Sequence, residues 1–367
     1  MTAARRELMV LGTLNGESRR RVADAAKEAS FTVEFADPEH DAARIAGSRA
    51  PHAIVLDDSV AARRLCLELR AQAEHAQIPM LCLDAQLDDL TFAEVFSWGG
   101  DDAVDATRSH ALVSRLRALP EAPAAPPRSG RGSALIVDAD RARRIVQGRV
   151  LRNAGYAVGF AISSDDALAR IREQTPRLVV ASSDVGTEPG DLLAAARTAG
   201  SAATWIVTCP PKDLPKIRAR VEAHGNATVL DGFAPPENIV FLANELERGG
   251  AQEKRASRRL LYGSSVFFRG AGREDDELGY TYNISHGGLY VRTLAPPDDD
   301  IAWLELKPPR SERRVRLEGR VVWRRKFGPS ESATVPPGFG VALTDATARD
   351  MAAWKEGYAA FASALGY

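Results

Sequence analysis

Short apolar runs alternate with helical patterns along most of the chain, once between residues 7 and 120 and again between 134 and 247. In the first stretch a helical pattern follows each of five runs, at residues 8–14, 32–36, 53–57, 80–84 and 102–104. The second stretch holds five more runs, at residues 134–137, 155–161, 178–182, 204–208 and 228–230. Strands that are apolar throughout are typical of parallel sheets covered by helices on both faces. The chain therefore predicts two α/β domains, each with a doubly wound parallel sheet.

The segment between these stretches is rich in Pro, Ala, Gly and Ser and has no apolar periodicity, as expected of a linker. After residue 247 the helical patterns give way to short alternating runs, which are typical of antiparallel strands. We therefore divide the 367 residues into an α/β domain, a linker, a second α/β domain and a third domain, at residues 1–120, 121–133, 134–247 and 248–367.

The charge balance of the chain argues against one class of partner. The formal net charge is −1, with 48 Lys and Arg residues against 49 Asp and Glu residues. Residues 251–367 hold 18 basic and 15 acidic residues, a small positive surplus that suits a small anionic ligand. This surplus is well short of the basic face of a nucleic-acid-binding domain, and we expect no nucleic-acid partner.

Cysteine usage and apolar run length indicate the compartment. The three cysteines, Cys66, Cys82 and Cys209, are dispersed without Cys-x-x-Cys spacing. They favour a reducing compartment and predict neither a disulfide framework nor a zinc site. The apolar run at residues 8–14 is too short for a signal peptide, and no run approaches about 20 apolar residues. We expect a cytoplasmic protein that does not insert into a membrane.

Two polar clusters interrupt the strands of the third domain. The first is the basic run at residues 254–259, in which Arg255 and Arg259 are four residues apart, before the apolar run 266–268. Arginine offers a planar fork of donors for phosphate and a flat face that stacks on a purine. The second cluster lies between two alternating runs and consists of Asn283-Ile284-Ser285-His286-Gly287-Gly288. It predicts a tight corner where backbone N–H groups can approach a ligand.

In this order the two clusters resemble the RxxxR and [D/N]xSxxG motifs of the PilZ domain. The resemblance extends over residues 252–367. It includes a strand-like run at residues 317–323, with Leu317, Val321 and Trp323 expected on one face, the Gly-Phe-Gly-Val sequence at 338–341 and apolar residues at helical spacing within 350–365. The resemblance implies a six-stranded antiparallel β-barrel with a C-terminal helix. It also implies a domain that binds the bacterial second messenger cyclic di-GMP, with no enzymatic activity, no metal and no cofactor.

The resemblance assigns the ligand to eight residues, which are Lys254, Arg255, Arg258, Arg259, Asn283, Ser285, Gly287 and Gly288. The two motif arginines are expected to wrap cyclic di-GMP and contact phosphate and guanine, and the other two basic side chains to add charge at the rim. Asn283 and Ser285 are expected to bond the base and phosphate region from the barrel wall, and Gly288 to leave room. The alternatives are a solvated basic linker and a simple tight turn.

Both α/β domains resemble the response-regulator receiver domain, the second more closely than the first. Receiver phosphorylation requires an aspartate nucleophile, acidic ligands for Mg²⁺, a hydroxyl and a lysine, because the transferring phosphoryl group must be neutralised. In the first domain Asp57 fills the nucleophile position, but Asp84 replaces the hydroxyl and Ala106 the lysine. In the second domain Asp138 and Asp140 are present, but Ser182 stands at the nucleophile position. We expect two degenerate receivers, without a metal site, that serve docking or dimerisation.

These expectations describe a non-enzymatic cyclic di-GMP effector. Ligand binding would order residues 248–259, reorient the third domain against the second and alter a surface for an unidentified protein partner. By family analogy the setting is motility, adhesion or exopolysaccharide control. Two alternatives stay open: a phosphorelay response regulator phosphorylated on Asp57, and a ligand-free scaffold. Homodimerisation, through the receiver-like domains or through a ligand dimer held between arginines, also stays open.

Overall fold

The computed structural model describes residues 6–41, 44–45, 50–72, 74–121, 130–248, 257–328 and 335–366. These residues form three units in chain order, which are two α/β domains followed by an antiparallel β-barrel with a helix after its last strand. The fold class expected from the sequence is therefore confirmed. Of the helix expected at residues 38–46, the structure describes residues 38–41, which form turns and a bend, and residues 44–45, which are helical.

The first α/β domain is a parallel sheet of five strands with an apolar core on each face. Its strands are β1 (Arg6–Leu11), β2 (Phe31–Ala36), β3 (Ala53–Asp57), β4 (Met80–Asp84) and β5 (Asp102–Asp105). Its helices are α1 (Gly16–Glu28), α2 (Val60–Arg70), α3 (Asp89–Ser97) and α4 (Ser109–Ala118). The strand order β2-β1-β3-β4-β5 is the flavodoxin-like order, in which ligands bind at the carboxyl ends of the strands.

The second α/β domain repeats this order, as β7-β6-β8-β9-β10. Its strands are β6 (Ser133–Val137), β7 (Ala157–Ala161), β8 (Leu178–Ser182), β9 (Thr204–Cys209) and β10 (Ala227–Asp231). Its helices are α5 (Arg141–Asn153), α6 (Ser164–Gln174), α7 (Pro189–Thr198), α8 (Leu214–Val221) and α9 (Asn238–Glu247). The sequence interpretation assigned no helix to the segments of α7 and α8, which are short and start at or beside a proline.

Polar residues at the carboxyl ends of the strands and in the loops fix where many helices begin. In the two α/β domains, five of them accept a hydrogen bond from a backbone N–H in the first turn of the following helix: Asn15, Ser59, Asp88, Asp140 and Ser163. Such caps satisfy N–H groups that have no partner within the helix. Asp140, which the sequence places among the acids of a receiver, is therefore engaged as a cap.

The third unit is a closed barrel of six antiparallel strands. These are β12 (Ser265–Gly270), β13 (Glu277–Ser285), β14 (Gly288–Arg292), β15 (Ile301–Leu306), β16 (Val315–Arg325) and β17 (Gly338–Ala346). The barrel closes because β13 pairs with both β12 and β14, and the short β11 (Leu260–Leu261) adds to the end of β13. Helix α10 (Ala348–Ala364) packs Trp354 and Tyr358 into the barrel core.

One sequence expectation about the barrel is wrong. Strict alternation along residues 317–323 places Trp323 on the same face as the buried Leu317 and Val321. Instead, the pairing of β16 with β17 shifts register between Val321 and Trp323, and Trp323 is 45% exposed. A bulge adds one residue to a strand and turns the following side chains to the other face, so Trp323 lies on the outside of the barrel.

Candidate functional site

The residues of the second polar cluster lie at the corner between β13 and β14. β11 pairs antiparallel with β13, with Leu260 opposite Ile284 and Leu261 opposite Asn283. Arg258 and Arg259 directly precede β11 and are exposed. The pairing therefore brings the end of the basic run to the corner. Lys254 and Arg255, the other two basic residues expected at this site, lie outside the described residues.

The corner is tight, and its two glycines differ. A Cβ atom on Gly288 would lie 2.2 Å from the carbonyl oxygen of Val341 in β17, whereas one on Gly287 would meet no atom within 4 Å. The Ser285 hydroxyl donates a hydrogen bond to the Gly288 carbonyl, at 3.2 Å. Gly288 is thus required by close strand packing inside the barrel, and Gly287 leaves open space at the corner.

Asn283 offers hydrogen-bonding groups beside the corner. It is 4% exposed, and within the described part of the chain its side chain makes no hydrogen bond. The next residue, Ile284, belongs to the barrel core, so Asn283 faces the opposite way, to the outside. A buried amide normally has partners because an unsatisfied polar group is costly. Asn283 is therefore suited to receive a polar ligand.

Sequence reasoning missed two aromatic side chains on this part of the barrel, Tyr290 and Trp323, of which Tyr290 lies next to Asn283. Tyr290 is opposite Asn283 in the β13–β14 pairing, and the rings of Tyr290 and Trp323 are 5.8 Å apart. Burial raises the pKa of Tyr290, so its hydroxyl stays protonated and donates to the carbonyl of Pro336, at 2.8 Å. Tyr290 and the exposed ring of Trp323, both opposite Gly340 of β17, thus form an aromatic wall that starts beside Asn283. The sequence signal for this wall was a Trp directly before two arginines.

Helix α10 holds the corner from the other side. The Trp354 indole N–H donates to the carbonyl of His286, at 3.2 Å, and the Tyr358 hydroxyl donates to the carbonyl of Arg258, at 2.7 Å. The backbone positions of the corner and of the end of the basic run are therefore both fixed to one helix.

The receiver-like carboxylate of the first domain is already engaged. Asp57 accepts backbone N–H bonds from Thr13, at 2.8 Å, and from Ser59, at 3.2 Å. Gly12 lies so close that a Cβ there would be 2.3 Å from the Asp57 carboxyl carbon. The nearby Arg63 pairs with Asp58 and Glu94 instead. Both oxygens of Asp57 thus already accept a backbone N–H bond, and its role as a phosphoacceptor stays a prediction.

In the second domain an arginine takes the position of a cation. Asp138 is 1% exposed and accepts two hydrogen bonds from the Arg143 guanidinium, at 2.8 and 2.9 Å. The hydrogen bonds to Asp138 raise the pKa of Arg143, so Arg143 stays charged. Among the residues that the structure describes, no group of three or more His, Cys, Asp or Glu could hold a metal ion.

The barrel docks on the first α/β domain through a buried arginine. Arg115 of α4 is 1% exposed and pairs with Glu277 of β13 and with Asp102 of β5. Its third bond goes to the carbonyl of Leu278, at 2.5 Å. Asp102 also accepts the backbone N–H of Leu294, at 2.8 Å. Each charged group at this contact thus has partners, as a buried ion pair requires.

Aromatic contacts extend this interface. Tyr280 of β13 stacks on Phe92 with ring centroids 5.5 Å apart and meets Phe96 edge-on at 5.7 Å. The guanidinium of Arg292, 2% exposed, lies 3.3 Å from the centroid of Phe96 and pairs with Glu237 of the second domain at 2.7 Å. Arg292 therefore contacts all three units.

The barrel also contacts the second α/β domain directly, again through β13. The Tyr282 hydroxyl donates to the carbonyl of Glu237, at 2.8 Å, and its ring meets Phe241 edge-on at 6.0 Å. Burial raises the pKa of Tyr282 well above its ordinary value, so this hydroxyl remains a donor at neutral pH.

The two α/β domains share a buried charge cluster of their own. Asp101 accepts hydrogen bonds from Arg70, at 2.7 Å, and from Arg149 of the second domain, at 2.8 Å. Burial raises the pKa of Asp101, but the two arginines outweigh it and hold that pKa below its ordinary value. The three units are therefore joined pairwise by buried polar contacts.

Residues 253–357 match the PilZ domain family, so the barrel with its following helix is a PilZ domain. No curated protein matches the chain significantly. None of the helices in the described part of the chain has the length and apolar character that a bilayer crossing requires.

Solved structures match parts of the chain at low identity. A protein described as a two-component system response regulator/GGDEF domain protein is 17% identical, with a TM-score of 0.32, and the match covers 67% of this chain and 100% of that one. The chemotaxis response regulator CheY4 of Vibrio cholerae is 18% identical (TM-score 0.29; 32% and 99% covered). The inhibitor of motility MotI/DgrA of Bacillus subtilis is 20% identical (TM-score 0.25; 31% and 53% covered). The receiver-like description of the first two domains depends on their own strand order.

Proposed function

We propose that the protein is a cyclic di-GMP effector that binds its ligand at the corner between β13 and β14. The match to the PilZ family over residues 253–357 supports this ligand class, because PilZ domains bind cyclic di-GMP. PilZ and receiver-like domains are not enzymes, and the proposal is accordingly one of binding and signalling.

The chemistry of the corner fits a cyclic dinucleotide. The ligand carries two phosphates, and the basic run supplies charge for them through Arg258 and Arg259. Its guanine bases present hydrogen-bonding edges, and the amide of Asn283 provides both a donor and an acceptor. The exposed ring of Trp323 provides a surface on which a base can stack, a contact worth about 1–3 kcal/mol.

One observation carries the proposed relay: the same strand bears the candidate ligand residues and the docking residues. Asn283 and Ser285 end β13, while Glu277, Tyr280 and Tyr282 of that strand contact the two α/β domains. A ligand that binds more tightly in one arrangement of β13 shifts the population towards it. We propose that this shift changes the docking of the barrel and so alters a surface for a protein partner, in motility, adhesion or exopolysaccharide control.

Calorimetric titration of the full-length protein with cyclic di-GMP tests the binding step. We expect roughly micromolar affinity, about −8 kcal/mol, and at least about a tenfold loss in Arg259→Ala because a charge-assisted contact is removed. Arg273→Ala is the matched control, since Arg273 is an exposed arginine of the β12–β13 loop. No heat from the wild type, or equal losses in both variants, would contradict the proposal.

Hydrogen exchange tests the relay separately. Saturating cyclic di-GMP should change the exchange rates of amides in Glu277–Ser285 and in α4, which contacts that strand through Arg115. Exchange in β8 of the second domain serves as an internal reference. Binding that leaves the exchange of α4 and β13 unchanged would support cyclic di-GMP as the ligand but refute the relay.

A further inference from the structure

A small cavity lies where the three units meet, apart from the β13–β14 corner. Its volume is about 60 Å³, several times the roughly 10–15 Å³ that one water requires, and far too small for a cyclic dinucleotide. Polar side chains of all three units line it, namely Gln77, Asp101, Arg149, Asn153, Glu237 and Arg325.

The charges around this cavity do not balance. Arg149 pairs with Asp101 at 2.8 Å, and Glu237 pairs with Arg292 at 2.7 Å. Arg325 makes no hydrogen bond or ion pair within the described residues, and its Nε is buried without a partner. Burial lowers the pKa of Arg325, as expected for a charge that is poorly solvated. Because Arg70 also pairs with Asp101, four arginines meet two carboxylates among the described residues around the cavity, an excess of two positive charges.

An anion would satisfy this arrangement. A buried guanidinium without an acceptor is costly, and a carboxylate or phosphate oxygen supplies the acceptor that its planar fork fits. Glu237 approaches Arg325 closely enough to favour its charged form, but Arg292 already neutralises that carboxylate. We propose that a small oxyanion, of the size of phosphate or a simple carboxylate, binds in this cavity against Arg325 and joins the three units.

This site acts on a step different from cyclic di-GMP binding. Since the cavity is lined by all three units, an anion held there stabilises the docked arrangement and disfavours any arrangement in which the barrel moves away. Anion binding in this cavity does not depend on the corner residues, so the two proposals can be tested independently of each other.

The test is thermal unfolding and calorimetry of the full-length protein with inorganic phosphate, and in a second series with acetate, at constant ionic strength set by chloride. We expect stabilisation by one of the two anions, and its dissociation constant should rise roughly ten- to hundredfold in Arg325→Gln because a charge-assisted hydrogen bond is lost. Arg320→Gln is the control, since Arg320 is an exposed arginine on the same strand, β16.

The outcomes separate cleanly. A phosphate effect that depends on Arg325 and not on Arg320 supports a phosphate-type ligand, and the same result with acetate supports a carboxylate. Equal effects in both variants, or no effect of either anion on the wild type, overturn the proposal. If Arg325→Gln does not fold, Arg325→Lys keeps the charge but loses the planar fork, and it should bind more weakly than the wild type.

Discussion

Replacing Arg115 by methionine tests the buried contact between the barrel and the first α/β domain. The change removes the partner of Glu277, one partner of Asp102 and the donor to the Leu278 carbonyl. Removing one side of a buried ion pair typically costs about 3–5 kcal/mol. The lower end applies here because Asp102 keeps the backbone N–H bonds of Leu294 and Ala103. We expect about 3 kcal/mol.

The loss should appear at the docked strand rather than throughout the chain. About 3 kcal/mol corresponds to roughly a hundredfold increase in the opening equilibrium, so amides of Glu277–Ser285 should exchange roughly a hundredfold faster in Arg115→Met. Amides of β8, in the second domain, should exchange at their wild-type rate. Native-state hydrogen exchange of the full-length protein measures both.

Arg117→Met is the matched control. Arg117 lies on the same helix, is 56% exposed and pairs with Glu28, and exposed pairs contribute at most about 1 kcal/mol. A second variant, Arg115→Lys, keeps the charge but cannot hold two carboxylates and a carbonyl with one planar fork, and should fall between the two. The reasoning is refuted if β13 exchanges at similar rates in Arg115→Met and Arg117→Met.

Two further predictions follow from single positions. Gly288→Ala forces a Cβ against the Val341 carbonyl and should lower the free energy of unfolding by about 1–3 kcal/mol. Gly287→Ala should change that free energy by less than about 0.5 kcal/mol. Urea unfolding of the two variants compares them, and equal effects would contradict the packing argument. Burial raises the pKa of Asp102 above its ordinary value of 3.8. Proton binding by Asp102 therefore adds to the free energy of unfolding at pH values below 3.8, and this contribution is lost as pH rises through the folded-state pKa. The free energy of unfolding, measured as a function of pH, should show this pH dependence in the wild type and in Asp105→Asn but not in Asp102→Asn.

The secondary structure of the α/β domains could be predicted because each strand and helix carries its own local signal. Continuous apolar runs identify buried parallel strands, and caps such as Ser59 and Asp140 mark helix starts. The segments of α7 and α8, each of which begins at or beside a proline, were missed. The sequence also showed that both receiver-like sites lack required groups, but the arginine that pairs with Asp138 became visible only in the structure.

The candidate site, too, could be predicted only in part from the sequence. The RxxxR and [D/N]xSxxG spacing predicted a corner of polar residues and glycines, and the pairing of β11 with β13 places Arg259 beside it. Trp323 could not be assigned to this site from alternation, because a single bulged residue reverses which face of the strand it occupies. Expectations for Lys254 and Arg255 stay predictions, since these residues lie outside the described part of the chain.

The sequence by itself determined the order of three units and the fold class, and it predicted the ligand chemistry of the corner, because apolar periodicity and short motifs are local properties of the chain. Tertiary structure alone decided which residues meet across the units, such as Arg115 with Glu277 and Arg149 with Asp101. These partners are far apart in sequence, and buried ion pairs leave no periodic signal. From sequence alone, an isolated charged residue is predicted to be exposed to solvent, because most charged residues are.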